Sequence, residues 1–333
     1  MISIAVDAMS GENDPAAAVA ASLRMAREHS DMHFFLAGRR AALEPLTADA
    51  PPNIGIEDAA EVVAMREPPK RAIRRRGTSM RRAMELVAEN RAQAVVSAGN
   101  TGALLGVGLL VAGKIAGVPR PAIASFMPNT NLDGGCCMLD LGANVECSAE
   151  MLQQFARMGA ALATAVRGVV APRVGLLNVG EEHFKGGEVL RAAAARLREM
   201  KDINFAGNVE GFDIYLGKCD VIVCDGFTGN VALKTSEGLA RMISGMIRGA
   251  FRRDALSTVC GALASPVLSR LRRDMDARRS NGACFFGVGG LVVKSHGKAD
   301  ATAFSSALNS AARAARRDVV GVIRAMPRTD FAA

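Results

Sequence analysis

Tryptophan is absent from this 333-residue chain, tyrosine occurs once, histidine four times, and 13 phenylalanines complete the aromatic stock. So few rings leave little for stacking bases, which argues against single-stranded nucleic acid as a partner. The seven cysteines, at 136, 137, 147, 219, 224, 260 and 284, are odd in number and contain no C-x-x-C pair. With no histidine at ligand spacing either, the sequence predicts reduced thiols and no metal. The longest apolar stretch, at 103–113, is short, glycine-rich and closed by Lys114, so no transmembrane helix is expected. The start, MISIAVDAMSGEN, has neither a basic n-region nor an apolar h-region, so no signal peptide is expected. Several catalytic signatures are missing: G-x-S-x-G, H-E-x-x-H, a P-loop, and a G-x-G-x-x-G that opens a helix after a strand. Covalent catalysis is therefore not indicated, and Cys136 and Cys137 read as strand residues.

What is present is half hydrophobic, at 50%, which suffices for a large core. Apolar runs at 2–6, 33–37, 54–57, 94–98, 174–179, 203–206, 221–224 and 291–294 read as strands. Helical patterns at 15–28, 103–116, 150–167, 187–200, 231–250 and 300–325 alternate with them, and GTSMRRAMELVAENR adds another, capped by Thr78 or Ser79. Asp14 is the expected cap of the first helix, with Pro15 in its first turn. Two runs at 123–127 and 136–141, joined by PNTNLDGG, predict a hairpin. The alternation predicts an α/β fold with a doubly wound, mostly parallel sheet. No repeat or low-complexity linker divides residues 1–333, so they read as one α/β unit whose two lobes, if distinct, are split through the sheet.

Four strands end on small polar loops: SAGNTG (97–102), NVGEE (178–182), DGFTGN (225–230) and KSHGKAD (294–300). Loops at the carboxyl ends of parallel strands line one crevice, and glycine with asparagine at helix starts suits a small anion held by backbone N–H groups. These loops nominate Asn100, Thr101 and Gly102, Glu181 with Lys185, and Asp225, Gly226, Thr228 and Asn230 with Lys234 one turn on. His296 is a candidate donor or proton shuttle, since histidine titrates near neutrality. Asp7 closes the first strand. Each has a plainer reading, as helix cap, turn residue, surface lysine or core histidine.

The net charge is +8, from 41 basic against 33 acidic residues. Lys70, Arg71, Arg74, Arg75, Arg76, Arg81 and Arg82 crowd into 70–82, which suits an acidic partner or a solvated face. The stretch 239–275 mixes apolar residues with Arg241, Arg248, Arg252, Arg253, Arg270, Arg272 and Arg273, a pattern for anionic lipid or for a dimer contact.

DAMSGE, SMRRAMELV, SAGNTGAL, LDLGANVEC, VGLLNVGEEHFKG, FAGNVEG, VIVCDGFTGNVALKTSEG and VVKSHGKAD, in that order, resemble the bacterial phosphate acyltransferases (acyl-ACP:phosphate transacylases) of phospholipid synthesis, over about residues 2–325. The resemblance implies an α/β/α sandwich similar to isocitrate and isopropylmalate dehydrogenases, with a subdivided second lobe. It implies conversion of acyl-ACP and inorganic phosphate to acyl phosphate and free acyl carrier protein, without metal or cofactor. Lys185, Lys234 and His296 would then be catalytic, and Asp7, Asn100, Thr101, Gly102, Asn144, Glu181, Asp225, Gly226, Thr228 and Asn230 would bind substrate. It further implies a cytoplasmic homodimer, partly at the inner face of the membrane and close to a downstream membrane acyltransferase, with carrier protein docking on 70–82. Rival readings are a short-chain phosphate acetyl- or butyryltransferase, a decarboxylating dehydrogenase, and a non-catalytic scaffold for carrier protein. Ser10 and Glu12 depart from the family's DAMGGD, and a positive φ at position 10 would strain serine by ~1 kcal/mol.

Overall fold

Short strands, most of them buried, alternate with helices through much of the described chain, because a strand apolar on both faces needs a helical cover on each. The computed structural model describes residues 1–13, 15–131, 135–274 and 281–325. The Asp14 cap, residues 132–134 of the hairpin link, residue 275, and the side chains of Arg270, Arg272 and Arg273 lie outside what it describes.

The first half contains β1 (Ile2–Asp7), α1 (Ala16–Glu28), β2 (Met32–Gly38), α2 (Arg40–Leu43), β3 (Ile54–Asp58), α3 (Pro69–Ala72), α4 (Ser79–Ala88), β4 (Ala94–Ser97) and α5 (Thr101–Val111). The hairpin β5 (Ala122–Met127) and β6 (Cys136–Leu139) follows, then α6 (Ala149–Arg167), β7 (Arg173–Leu177), α7 (Glu188–Glu199), β8 (Asn204–Val209), α8 (Asp213–Leu216) and β9 (Val221–Val223). Two long helices, α9 (Gly226–Ala250) and α10 (Ala255–Asp274), precede β10 (Ala283–Phe286), β11 (Leu291–Lys294), α11 (Ala301–Arg316) and α12 (Val319–Arg324). The helix expected at 103–116 begins at Thr101 and stops at Val111, just before Gly113, whose φ is +71°. β10 was not read from the sequence, and the predicted 300–325 helix divides at Asp318, which adopts φ +44° and caps α12.

Among the described residues, eleven strands form one sheet in the order β3-β2-β1-β4-β11-β10-β5-β6-β9-β7-β8. Side chains alternate across it with period two. Ile4, Val6, Phe34 and Val96 join one core with α1, α6 and α11, while Ala5, Val95 and Met138 join the other with α4 and α5. Each fully buried Phe or Ile in these layers contributes ~1.5–3 kcal/mol.

Direction decides where the loops go. β3, β2, β1, β4 and β11 run parallel, and β5 shares their direction because both β11 and β5 pair antiparallel with β10. The hairpin then reverses the chain, so β6, β9, β7 and β8 run the other way. The four polar loops therefore do not share one edge, contrary to the expectation of a single crevice. SAGNTG and KSHGKAD lie at one edge with DAMSGE, while NVGEE and DGFTGN lie at the opposite edge.

α9 starts at that second edge and runs back along the sheet. Only Gly226 and Gly229 of its residues are buried. Beyond them Leu239, Met242 and Met246 on α9, and Leu256, Val259 and Leu263 on α10, face solvent. No helix among the described residues is long and apolar enough to cross a membrane.

Candidate active site

β1, β4 and β11 end in register on Asp7, Ser97 and Lys294, which in parallel neighbours places their side chains on one face. Asp7 is fully buried, accepting from Ser79 Oγ at 2.6 Å and from Ser97 Oγ at 2.7 Å. Burial raises its carboxyl above the ordinary value, and these hydroxyl donors oppose the shift. Ser97 Oγ in turn accepts the Gly99 N–H at 3.0 Å, so the carboxylate shapes the SAGNTG loop through a serine. Ser295 N–H donates to Ser97 O (2.8 Å) and Glu12 N–H to Gly297 O (2.7 Å), tying the three loops together. Ser10 needs no positive φ, because that conformation falls on Gly11 at +138°; the expected strain is absent.

Asn100 is occupied twice. Its Oδ1 caps α5 by accepting from Ala103 N, and its Nδ2 donates to Met65 O at 2.7 Å. Thr101 and Gly102, by contrast, stand exposed in the first turn of α5, where helical N–H groups lack intrahelical partners and the dipole favours an anion. Half-buried Lys294 reaches this loop, donating to Ala98 O at 3.1 Å.

His296 is held by Asn281, whose Oδ1 accepts the His296 N–H at 2.9 Å while its Nδ2 donates to Ser295 Oγ and Ala303 O. The imidazole Nδ1 accepts from Lys298 N–H at 3.1 Å. Burial lowers the histidine's pKa, with Glu237 opposing and Lys234, Lys294 and Arg241 reinforcing. Glu237, Lys234 and Arg241 all belong to α9, so this helix brings Lys234 from the second edge into electrostatic reach of His296. Lys234 is half-exposed and paired with Glu237 at 3.0 Å.

At the opposite edge, Asp225 caps α9 by accepting from Thr228 N and Thr228 Oγ1. Gly226 N–H donates to Asn144 O at 2.7 Å, and a Cβ on Gly226 would lie 2.4 Å from that oxygen. Asn144 donates to Pro121 O and to Asp140, whose buried carboxylate also accepts from the N–H groups of Ile123, Gly142, Ala143 and Asn144. Asn230 is exposed beside Gly142. Lys185 extends from the NVGEE loop with Nζ 4.0 Å from Glu182, and Glu181 pairs with Lys218.

The structure thus groups Asp7, Asn100, Thr101, Gly102, His296 and Lys234 on one side, and Asn144, Glu181, Lys185, Asp225, Gly226, Thr228 and Asn230 on the other. Sequence reasoning gave no site role to Ser97, Asn281 or Lys294 and read Ser79 only as an alternative cap to Thr78, which is the residue that caps α4. Ser97 and Lys294 carried a signal, as the polar residues that open SAGNTG and KSHGKAD.

A mostly parallel α/β sheet of this kind is also the fold of solved phosphotransacylases and of 4-hydroxythreonine-4-phosphate dehydrogenases. A phosphotransacetylase from Streptococcus pyogenes superimposes with a TM-score of 0.62 at 15% identity, covering 95% of this chain and 94% of that one. A 4-hydroxythreonine-4-phosphate dehydrogenase from Klebsiella pneumoniae gives 0.56 at 11% identity, over 94% of this chain and 99% of that one. Sequence narrows the class. The family described as "Fatty acid synthesis protein" matches residues 2–321, and the phosphate acyltransferase of Halorhodospira halophila is 47% identical over 329 residues, 97% of this chain and 95% of that protein. The chain belongs to this phosphate acyltransferase family and is an enzyme.

Proposed function

We propose that the protein transfers the acyl group of acyl carrier protein from its thioester to inorganic phosphate, giving acyl phosphate and free carrier protein for phospholipid synthesis. The observation that carries the reading is the first edge, where the exposed start of α5, Lys294, Lys234 and a neutral His296 surround one loop cluster. A phosphate oxygen attacks the thioester carbonyl, forming a C–O bond and a tetrahedral oxyanion. Collapse of the oxyanion breaks the C–S bond and releases thiolate, which takes its proton from solvent. Phosphate is already nucleophilic and thiolate a good leaving group, so the protein supplies position and charge. The α5 N–H groups and Lys294 suit the phosphate. The His296 Nε2–H suits the oxyanion.

Lys185 and the DGFTGN loop stand at the far edge of their own chain, so they serve this reaction by joining the site of a second copy. The solvent-facing apolar faces of α9 and α10 support a homodimer, and Arg248, Arg252 and Arg253 near the α9–α10 turn support contact with an anionic membrane at its cytoplasmic face. That position also suits handing acyl phosphate to a membrane acyltransferase.

The test is phosphate-dependent release of free thiol from palmitoyl-ACP by the purified protein. Thiol release that is absent, or that proceeds equally without phosphate, sinks the reading.

A further inference from the structure

The basic run at 70–82 is not one surface. Arg75 is consumed internally, pairing with Glu61 (2.8 Å) and Glu67 (3.0 Å) and donating to Val62 O. Arg81 pairs with Glu85, and Arg82 bridges Glu57, Glu85 and Glu89. What remains is a cluster on the segment between β3 and α4: Arg66, Lys70, Arg74 and Arg76 are exposed with no ion-pair partner among the described residues. Arg71 is 81% exposed and only 3.8 Å from Glu67, a pair worth little in water.

The inner side of the same segment is packed onto the active-site loops. Met65 O accepts from Asn100, Pro69 lies against Gly102, Ile73 fills the space left by Gly106, and the Met65 thioether covers Gly297 beside His296. The unneutralised cations therefore form the outer rim of the edge where the thioester must arrive.

We infer that Arg66, Lys70, Arg71, Arg74 and Arg76 form the docking surface for an acidic carrier protein, which seats on this rim and passes its acylated arm over the segment to the α5 and His296 loops. The inference rests on the acyl-carrier reading above. Charge complementarity at a rim acts chiefly on encounter rate and salt dependence, whereas the internal pairs of Arg75, Arg81 and Arg82 hold the segment in place.

The experiment compares wild type with Lys70→Glu/Arg74→Glu on two thioesters of the same chain length, acyl-ACP and the uncharged acyl-pantetheine. The variant should lose about tenfold or more in kcat/KM for acyl-ACP, mostly in KM, and lose most of the salt dependence, while matching wild type on acyl-pantetheine. An equal loss on both thioesters, or no loss on acyl-ACP, overturns the docking surface. A wild type that uses acyl-pantetheine but ignores acyl-ACP also overturns it, while acyl transfer itself stands. Inactivity of wild type on both removes the activity on which the surface depends.

Discussion

The Lys298 backbone N–H points at Nδ1 of His296, 3.1 Å away, so the neutral imidazole carries its proton on Nε2 and presents a donor to the site. Desolvation holds its pKa below 6.5. Lys234 and Arg241 on α9 and Lys294 on β11 act in the same direction, and Glu237 on α9 opposes them. The group is therefore neutral at pH 7, and the acid limb of kcat should fall below 6.5. His296→Gln, which keeps a donor, should flatten that limb and retain more activity than His296→Ala, for which about a 100-fold loss in kcat is expected. A kcat for His296→Ala within twofold of wild type removes the donor role.

Asp7 is the acceptor for two buried hydroxyls, on Ser79 and Ser97. Asp7→Ala leaves both unpaired, which should cost about 2–5 kcal/mol in urea unfolding. The pH sense follows from its raised pKa: the folded state holds the proton more tightly, so stability from this group is greatest below 3.8 and declines as pH rises toward the folded value. A stability curve for Asp7→Asn that parallels wild type across that interval rules this linkage out.

Lys185 and His296 at opposite edges of one sheet make subunit complementation the direct check on a shared site. Lys185→Ala and His296→Ala should each lose more than about tenfold in rate alone. Mixed, unfolded and refolded together, they should regain activity, because heterodimers carry one intact site. Mixtures no more active than the sum of their parts argue against sharing.

Gly229 and Gly106 look alike in sequence and should behave differently. A Cβ on Gly229 would sit 1.9 Å from Asp140 O, a backbone atom that has nowhere to go. On Gly106 it would meet Ile73 Cδ1, the far end of a flexible side chain. Gly229→Ala should cost at least about 3 kcal/mol or prevent folding, and Gly106→Ala about 1 kcal/mol, read as shifts in denaturant midpoint. Comparable midpoints for the two would contradict the packing of α9 against the β6 end.

Local chemistry made much of this legible. Thr78, Asn100 and Asp225 cap helices as their positions suggest, and the β5–β6 hairpin is written in PNTNLDGG. What local sequence does not encode is which strands lie beyond the hairpin. Strand order is set by long-range pairing, and it alone sends Lys185 to one edge and His296 to the other. The roles of Asn281 and Ser97 were illegible for a related reason: an asparagine before a short strand and a serine at a strand end acquire them only when β10, β11 and β4 lie side by side. The charges at 70–82 looked uniform because Glu57, Glu61 and Glu67, which neutralise Arg75 and Arg82, precede the run and meet these two only in space.

The reversal of strand direction at the middle of the sheet bears on how output scales with abundance. If each reaction centre draws on the opposite poles of two chains, an isolated chain carries two incomplete centres and a pair carries two complete ones. Specific activity then falls on dilution below the pairing constant, and a cell that halves its stock of this chain in that range loses more than half its acyl phosphate supply.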